Sequence, residues 1–213
     1  GRKDKSEEFG LEEIGVALTP KGTIEINEYM ETGLPNSFAC GDVAGLYQFT
    51  HMASYQAWFA ALNSIAGGLW RSRVNYAAVP WATFTDPEVA RVGLSEEEAK
   101  QRGIAYEVTR YEMDHHDRSL ADGEAHGFVK ILTVPGKDKM LGVTIVGYHA
   151  GEQIAEFVFA MTHGMGLKSI SAVTHIYPTL GEANKFAANA WRSARMPTQY
   201  FPWLKRFFDW RRG

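Results

Sequence analysis

Pro80-Trp81-Ala82-Thr83-Phe84-Thr85-Asp86-Pro87-Glu88-Val89-Ala90-Arg91-Val92-Gly93-Leu94-Ser95-Glu96-Glu97-Glu98 spells out four structural instructions in succession. The aromatic and apolar residues 81–84 read as a strand, Thr85-Asp86-Pro87 is turn chemistry, and residues 89–92 read as a second strand. Ser95 followed three positions later by Glu98 is a capping box, which opens a helix that Gly103 can end.

Toward the carboxy terminus, residues 105–113 alternate in polarity as a strand should. Residues 127–134 and 140–148 flank Pro135-Gly136-Lys137-Asp138-Lys139 as the arms of a hairpin. Helical patterning then takes over at about 150–163, 169–175 and 181–195. Strands first and helices after is the order of an α+β domain, expected here as an antiparallel sheet with helices on one side. Toward the amino terminus the composition shifts near residues 74–80, and the domain boundary is placed there. This gives three segments: 1–73, 74–199 and a tail, 200–213.

In the first segment, residues 15–18 and 23–26 form a hairpin around Pro20-Lys21-Gly22. Ser37-Phe38-Ala39-Cys40 is a short apolar strand that stops at Gly41-Asp42. Residues 52–69 repeat small and apolar side chains at helical spacing, with Gly67-Gly68 as a stop signal. A strand that ends in Gly-Asp before a helix sets a carboxylate at the carboxyl edge of a sheet, where ligands of α/β folds bind.

The 213 residues, 45% hydrophobic and 22% charged, are those of an ordinary globular chain with room for one or two cores. A net charge of −3 without a basic run gives no electrostatic reason to expect nucleic acid as a partner. No apolar stretch is long enough to span a bilayer and the first residues lack a signal-peptide core, so the expected location is the cytoplasm. The single cysteine, Cys40, excludes an internal disulfide framework or a redox pair within these residues and reads as a small apolar side chain. Asp114-His115-His116-Asp117 has ligand-type residues, but adjacent histidines on an extended segment face opposite ways, and no metal site is expected.

The segment Phe38-Ala39-Cys40-Gly41-Asp42-Val43, with Thr50-His51 and the alanine-rich helix after it, resembles the second FAD motif of the pyridine nucleotide–disulfide oxidoreductases. The resemblance continues. Residues 80–95 are similar to the start of that family's dimerisation domain, Asp117-Arg118-Ser119 with Gly127-Phe128-Val129-Lys130 to its middle, and residues 141–147 to its central strand. It implies that residues 1–73 are the end of an α/β FAD-binding domain and residues 74–199 a dimerisation domain. It also implies FAD as cofactor, NAD(P)H as electron donor, a homodimer, and a parent more than twice as long as this chain. By the same resemblance Gly41 and Asp42 belong to the ribityl and pyrophosphate side of the flavin, and the backbone of Thr50 and His51 to its carbonyl edge. Gly1-Arg2-Lys3-Asp4 is similar to the element leading out of the family's nicotinamide domain.

His175-Ile176-Tyr177-Pro178-Thr179-Leu180-Gly181-Glu182 occupies the place of the family's catalytic motif, in which a histidine before Pro-Thr is paired with a glutamate five residues later. Here Tyr177 stands in the place of that histidine. A phenol titrates near 10 and cannot cycle protons at neutral pH as imidazole does. Tyrosine at this position resembles the mercuric reductases and similar flavoproteins, although no vicinal cysteine pair stands at the end of the chain. Thr179 and Glu182 are also at capping-box spacing, and capping is the preferred reading of Glu182. His175, two residues before Tyr177, would face the same side on an extended segment and could serve as a base, but a packed or surface histidine is the plainer reading. The tail mixes aromatic and basic residues, which suits a membrane interface or a partner; packing on its own dimer is preferred. A non-enzymatic homodimerisation module is the alternative to the oxidoreductase reading.

Overall fold

The structure is a computed structural model and describes residues 6, 9–66 and 70–213. Gly1 to Asp4 and the Gly67-Gly68 stop lie outside the described residues. The chain divides into two compact units, Gly1–Tyr76 and Ala77–Gly213.

In the first unit the expected hairpin is reduced to one bridge, Leu18 to Ile24, closed by a turn in which the Gly22 N–H bonds the Thr19 carbonyl at 2.8 Å. The expected strand at 37–40 is likewise a single bridge, Glu31 to Phe38, with the Ala39 N–H on the Met30 carbonyl at 3.1 Å. A strand exists through its partners, and among the described residues only this one position finds one. The main element is helix α1 (Thr50–Ala66). Met52, Gln56, Ala60 and Asn63 recur at spacings of four, four and three, so they form one buried stripe. Ala60 packs with Met30 and Val74, and Cys40 is half-buried against the same cluster.

The second unit is an antiparallel five-stranded sheet made of β1 (Pro80–Thr83), β2 (Glu88–Gly93), β3 (Glu107–Glu112), β4 (Phe128–Thr133) and β5 (Met140–Gly147). The spatial order is β1-β2-β5-β4-β3, so β5 is central and pairs with β2 (Ala90 opposite Ile145) and with β4 (Val129 opposite Ile145). Side-chain alternation puts Ala90, Val92, Val129, Ile131, Val143 and Ile145 on one face, all fully buried. That face is covered by α4 (Ala150–Gln153), α5 (Ala155–Thr162), α6 (Leu167–Ala172) and α7 (Glu182–Ser193), which supply Phe157, Leu167, Ile170, Ala187 and Trp191 to the same core.

Helix α2 (Glu96–Gln101) carries the capping box read from Ser95 and Glu98 in both directions. Lys130, on the opposite face of the sheet, reaches Glu96 at 2.9 Å, and Arg91 pairs with Glu98, so this short helix lies over the other face. Three features depart from the sequence reading. The helix expected over 150–163 breaks at Ile154 into α4 and α5. Asp117 opens α3 (Asp117–Asp122), where an extended segment was expected; its end is fixed by Gly123 at φ 76°, whose N–H bonds the Leu120 carbonyl at 3.2 Å. The tail, finally, is helical: α8 (Phe201–Arg212).

Candidate functional site

Two groups of side chains are singled out, one in each unit. In the first unit, Gly41 opens a 3-10 turn, Asp42–Ala44, that ends at Gly45. Gly41 has φ 78° and ψ −156°, a region that only glycine occupies at low cost. A Cβ there would stand 3.2 Å from the Cβ of Ala53. The missing side chain therefore lets the turn sit directly on the first turns of α1.

Gln56 locks the arrangement. Fully buried, it accepts the Gly41 N–H at 2.7 Å through Oε1 and donates through Nε2 to the Tyr76 hydroxyl at 3.1 Å and the Leu46 carbonyl at 3.4 Å. Asp42 is half-buried at this turn, and Thr50 and His51 are exposed at the amino end of α1, with the His51 ring stacked on Phe49 at 5.2 Å. A half-buried carboxylate beside the positive end of a long helix suits a polar ligand with both donor and acceptor groups. Sequence reading missed Gln56; the available signal was a polar residue on the buried stripe of an alanine-rich helix.

In the second unit the segment between α6 and α7 carries His175 and Tyr177 and leads into Glu182 at the start of α7, with a cis peptide bond between Tyr177 and Pro178. These three side chains do not converge. His175 is nearly buried and its Nε2 meets both carboxylate oxygens of Glu156 on α5, at 3.0 and 3.1 Å. The Asn184 amide of α7 donates to the same carboxylate at 3.0 Å. Glu182 accepts the Thr179 N–H at 3.1 Å, which is one half of a capping box. Thr179 does not return the bond; its hydroxyl donates to the Ile176 carbonyl at 2.7 Å.

Tyr177 is 67% exposed, and the carboxylate of Asp117 at the start of α3 acts on its phenol. The segment is not a regular strand, so period-two alternation does not govern it: His175 turns to Glu156 on α5, whereas Tyr177 is exposed. The negative charge of Asp117 pushes Tyr177 above its ordinary value of 10.0, with Glu182 adding to the effect. The phenol is thus a donor at neutral pH and not a base. Glu156 and Asn184 also line an open cleft of ≈ 440 Å³ with His149, Glu152 and Gln153. Neither Glu156 nor Asn184 was singled out from sequence, since Glu156 meets His175 across 19 positions and Asn184 across 28.

The Asp114-His115-His116-Asp117 residues do point apart: His115 is exposed, whereas His116 is buried against the Ser119 hydroxyl at 2.9 Å. Asp86, Glu124 and His126 bring three ligand-type atoms within 4.8 Å of one another at the surface, where carboxylates commonly gather without a metal. Burial holds His116 below the ordinary imidazole value, opposed by Glu182, Asp117 and the Thr179 backbone. Between that lowered value and about 6.5 the unfolded chain binds a proton that the folded chain does not. Stability from this group is therefore complete above about 6.5 and is lost as pH falls toward the folded value. Thermal melts between pH 7.5 and 5.5 should show a decline of at most about 1.4 kcal/mol per pH unit from this group. The His116→Asn variant should show a flatter dependence, and an unchanged slope would assign the effect elsewhere.

Comparison with known proteins places these two groups in one family. Residues 79–188 match the profile of the pyridine nucleotide-disulphide oxidoreductase dimerisation domain, and residues 1–57 match that of pyridine nucleotide-disulphide oxidoreductase. The chain belongs to the pyridine nucleotide–disulphide oxidoreductase family. Among curated relatives it is 36% identical to the dihydrolipoyl dehydrogenase of Staphylococcus aureus, over 88% of this chain and 40% of that protein. It is 37% identical to the mitochondrial dihydrolipoyl dehydrogenase of Caenorhabditis elegans, over 86% of this chain and 36% of that one. The chain thus spans about two fifths of the length of these relatives. Its fold matches LpdA from Mycobacterium tuberculosis with a TM-score of 0.79 at 23% identity, covering 87% of this chain and 40% of that one. It matches the HOCl-induced flavoprotein disulfide reductase RclA from Escherichia coli with a TM-score of 0.78 at 22% identity, covering 89% and 43%.

Proposed function

We infer that this chain is the carboxy-terminal part of an FAD-dependent NAD(P)H oxidoreductase, supplying the homodimer interface and one wall of the flavin site. The observation that carries this reading is the Gly41-Asp42 turn seated on α1, in a chain of this family. A position without a Cβ, a half-buried carboxylate and a helix amino end are the features an FAD ribityl chain and flavin edge require, so the residues present fit the group. Asp42 would accept hydrogen bonds from ribityl hydroxyls, and the amino end of α1 at Thr50 and His51 would face the flavin carbonyl edge. When bound, FAD takes hydride from reduced nicotinamide and passes electrons to an acceptor.

These residues form only part of such a site, which also needs the Gly-rich βαβ unit of a dinucleotide fold. Fluorescence titration of the 213-residue chain with FAD is therefore expected to show very weak binding or none. In a protein of full family length, Asp42→Ala should lower the flavin content of the purified enzyme. Tight stoichiometric binding by the chain alone would refute the split site.

A homodimer follows from the same reading, because the second unit is of the family's dimerisation type. Light scattering should give twice the chain mass at micromolar concentration, and a monomer at high micromolar concentration would count against it. Tyr177, exposed and with its phenol pushed above its ordinary value by Asp117, supports an acceptor of the mercuric-reductase-like kind, contacted by a hydroxyl without proton cycling through an imidazole. In this reading the enzyme works in the cytoplasm.

A further inference from the structure

Helix α8 lies beyond the residues matched by the family's dimerisation profile, and every residue from Met196 to Gly213 is exposed. Twelve residues with Pro202 in the first turn make a helix of about 18 Å, a length that is marginal in water without a surface to lie on. At 100° per residue Phe201, Trp203, Leu204, Phe207, Phe208 and Trp210 fall on one half of its circumference, and Lys205, Arg206, Asp209 and Arg212 on the other. Arg211 falls within the apolar half but in the last turn, where a long side chain can reach back to the polar side.

The rings already form a continuous strip. Trp203 stacks on Phe207 at 6.0 Å, and Phe207 meets Phe208 at 5.6 Å and Trp210 at 6.2 Å. Four basic residues against Asp209 give the helix three net positive charges in a chain whose net charge is −3.

We propose that α8 is an in-plane anchor that binds the surface of an anionic phospholipid membrane. Charge complementarity selects this occupant. Two copies of the helix, meeting strip to strip, would cover the rings but leave the basic half without a counter-charge, whereas an anionic bilayer satisfies both halves at once: rings at the boundary of headgroups and chains, and Lys205, Arg206 and Arg212 among the phosphates. No helix among the described residues is long and apolar enough to cross a membrane, so the helix lies along the surface.

The test is flotation of the purified protein with phosphatidylcholine vesicles, with or without phosphatidylglycerol, at low and high salt. The protein should float with the phosphatidylglycerol vesicles, less so as salt rises, with a blue shift of tryptophan emission; vesicles of phosphatidylcholine alone should carry little. Reversing two charges in Lys205→Glu/Arg206→Glu should lower partitioning roughly thirtyfold or more, from about a fivefold contribution per basic residue. Phe207→Ser/Trp210→Ser should abolish the blue shift. These positions are exposed, so all variants should melt as the parent does. Failure of the parent protein to float with phosphatidylglycerol vesicles overturns the proposal. So does a halved mass of Phe207→Ser/Trp210→Ser in light scattering, which would make the strip a contact between copies. Binding to soluble polyglutamate as tight as to vesicles, and unchanged in that variant, would also overturn it in favour of an acidic protein partner.

Discussion

Gly142→Ala is expected to destabilise the antiparallel unit by about 3 kcal/mol or more, the upper range for overpacking, because the obstacle is backbone. Gly142 pairs with Gly93 of β2 and Leu132 of β4. At Gly93, with φ 72°, the chain leaves the sheet and Leu94 crosses over β5. A Cβ on Gly142 would stand 2.0 Å from the Leu94 carbonyl oxygen and 2.5 Å from its nitrogen. Leu94 is itself held by its N–H on the Leu141 carbonyl at 2.9 Å. Relief would require moving a backbone segment paired to the central strand. The melting temperature by circular dichroism should fall on the order of 10 °C. Gly181→Ala is the matched control: its φ of −62° suits any residue, and the nearest atom to its Cβ would be 3.9 Å away. A small gain from a stiffer unfolded chain is expected there. If Gly142→Ala melts within a degree or two of the parent, the crossing of Leu94 is misplaced.

The second large effect concerns Tyr177 in an enzyme of full family length. Its hydroxyl is exposed and polarised by Asp117, with the proton held more firmly than in free tyrosine. If the hydroxyl contacts the acceptor, Tyr177→Phe removes that contact, and turnover with the acceptor should fall roughly tenfold to a hundredfold. Reduction of the flavin by nicotinamide should be nearly unchanged. Tyr177→His restores an imidazole that titrates near neutrality, and disulfide reduction should rise where the enzyme has a cysteine pair. Stopped-flow measurement of each half-reaction separates them. A large loss in the reductive half of Tyr177→Phe would move this residue away from the acceptor side.

The sheet was legible because its signals are local: alternation marks β3, the Pro135-Gly136 turn joins β4 to β5, and Ser95 with Glu98 opens α2. The Gly41-Asp42 turn was legible as a break between an apolar run and a small-faced helix. What holds that turn was not, because Gln56 acts through a contact 15 positions away that no periodicity records. The region around Tyr177 was misread for a related reason. Period-two reasoning assumes a strand, whereas the segment is irregular and His175 is directed by Glu156, supplied by a distant helix. Gly142 looked like an ordinary strand residue, since the cost of a Cβ there depends on where Leu94 passes. In α8 the aromatic and basic mixture was visible, but its separation into two halves emerges only once the residues are wound on a helix.

The order of elements along the chain has a consequence for how the protein is made. All five strands precede α4, so the face carrying Val129, Ile131, Val143 and Ile145 is synthesised before any of the four helices that cover it. Its last covering residue, Trp191, emerges just over fifty positions after the central strand begins at Met140. During that interval the nascent chain presents an apolar sheet face together with the edges of β1 and β3, the combination that invites pairing between neighbouring chains. Arg110 and Glu112, paired on the edge strand β3, place charge along one of those borders while the cover is still being built.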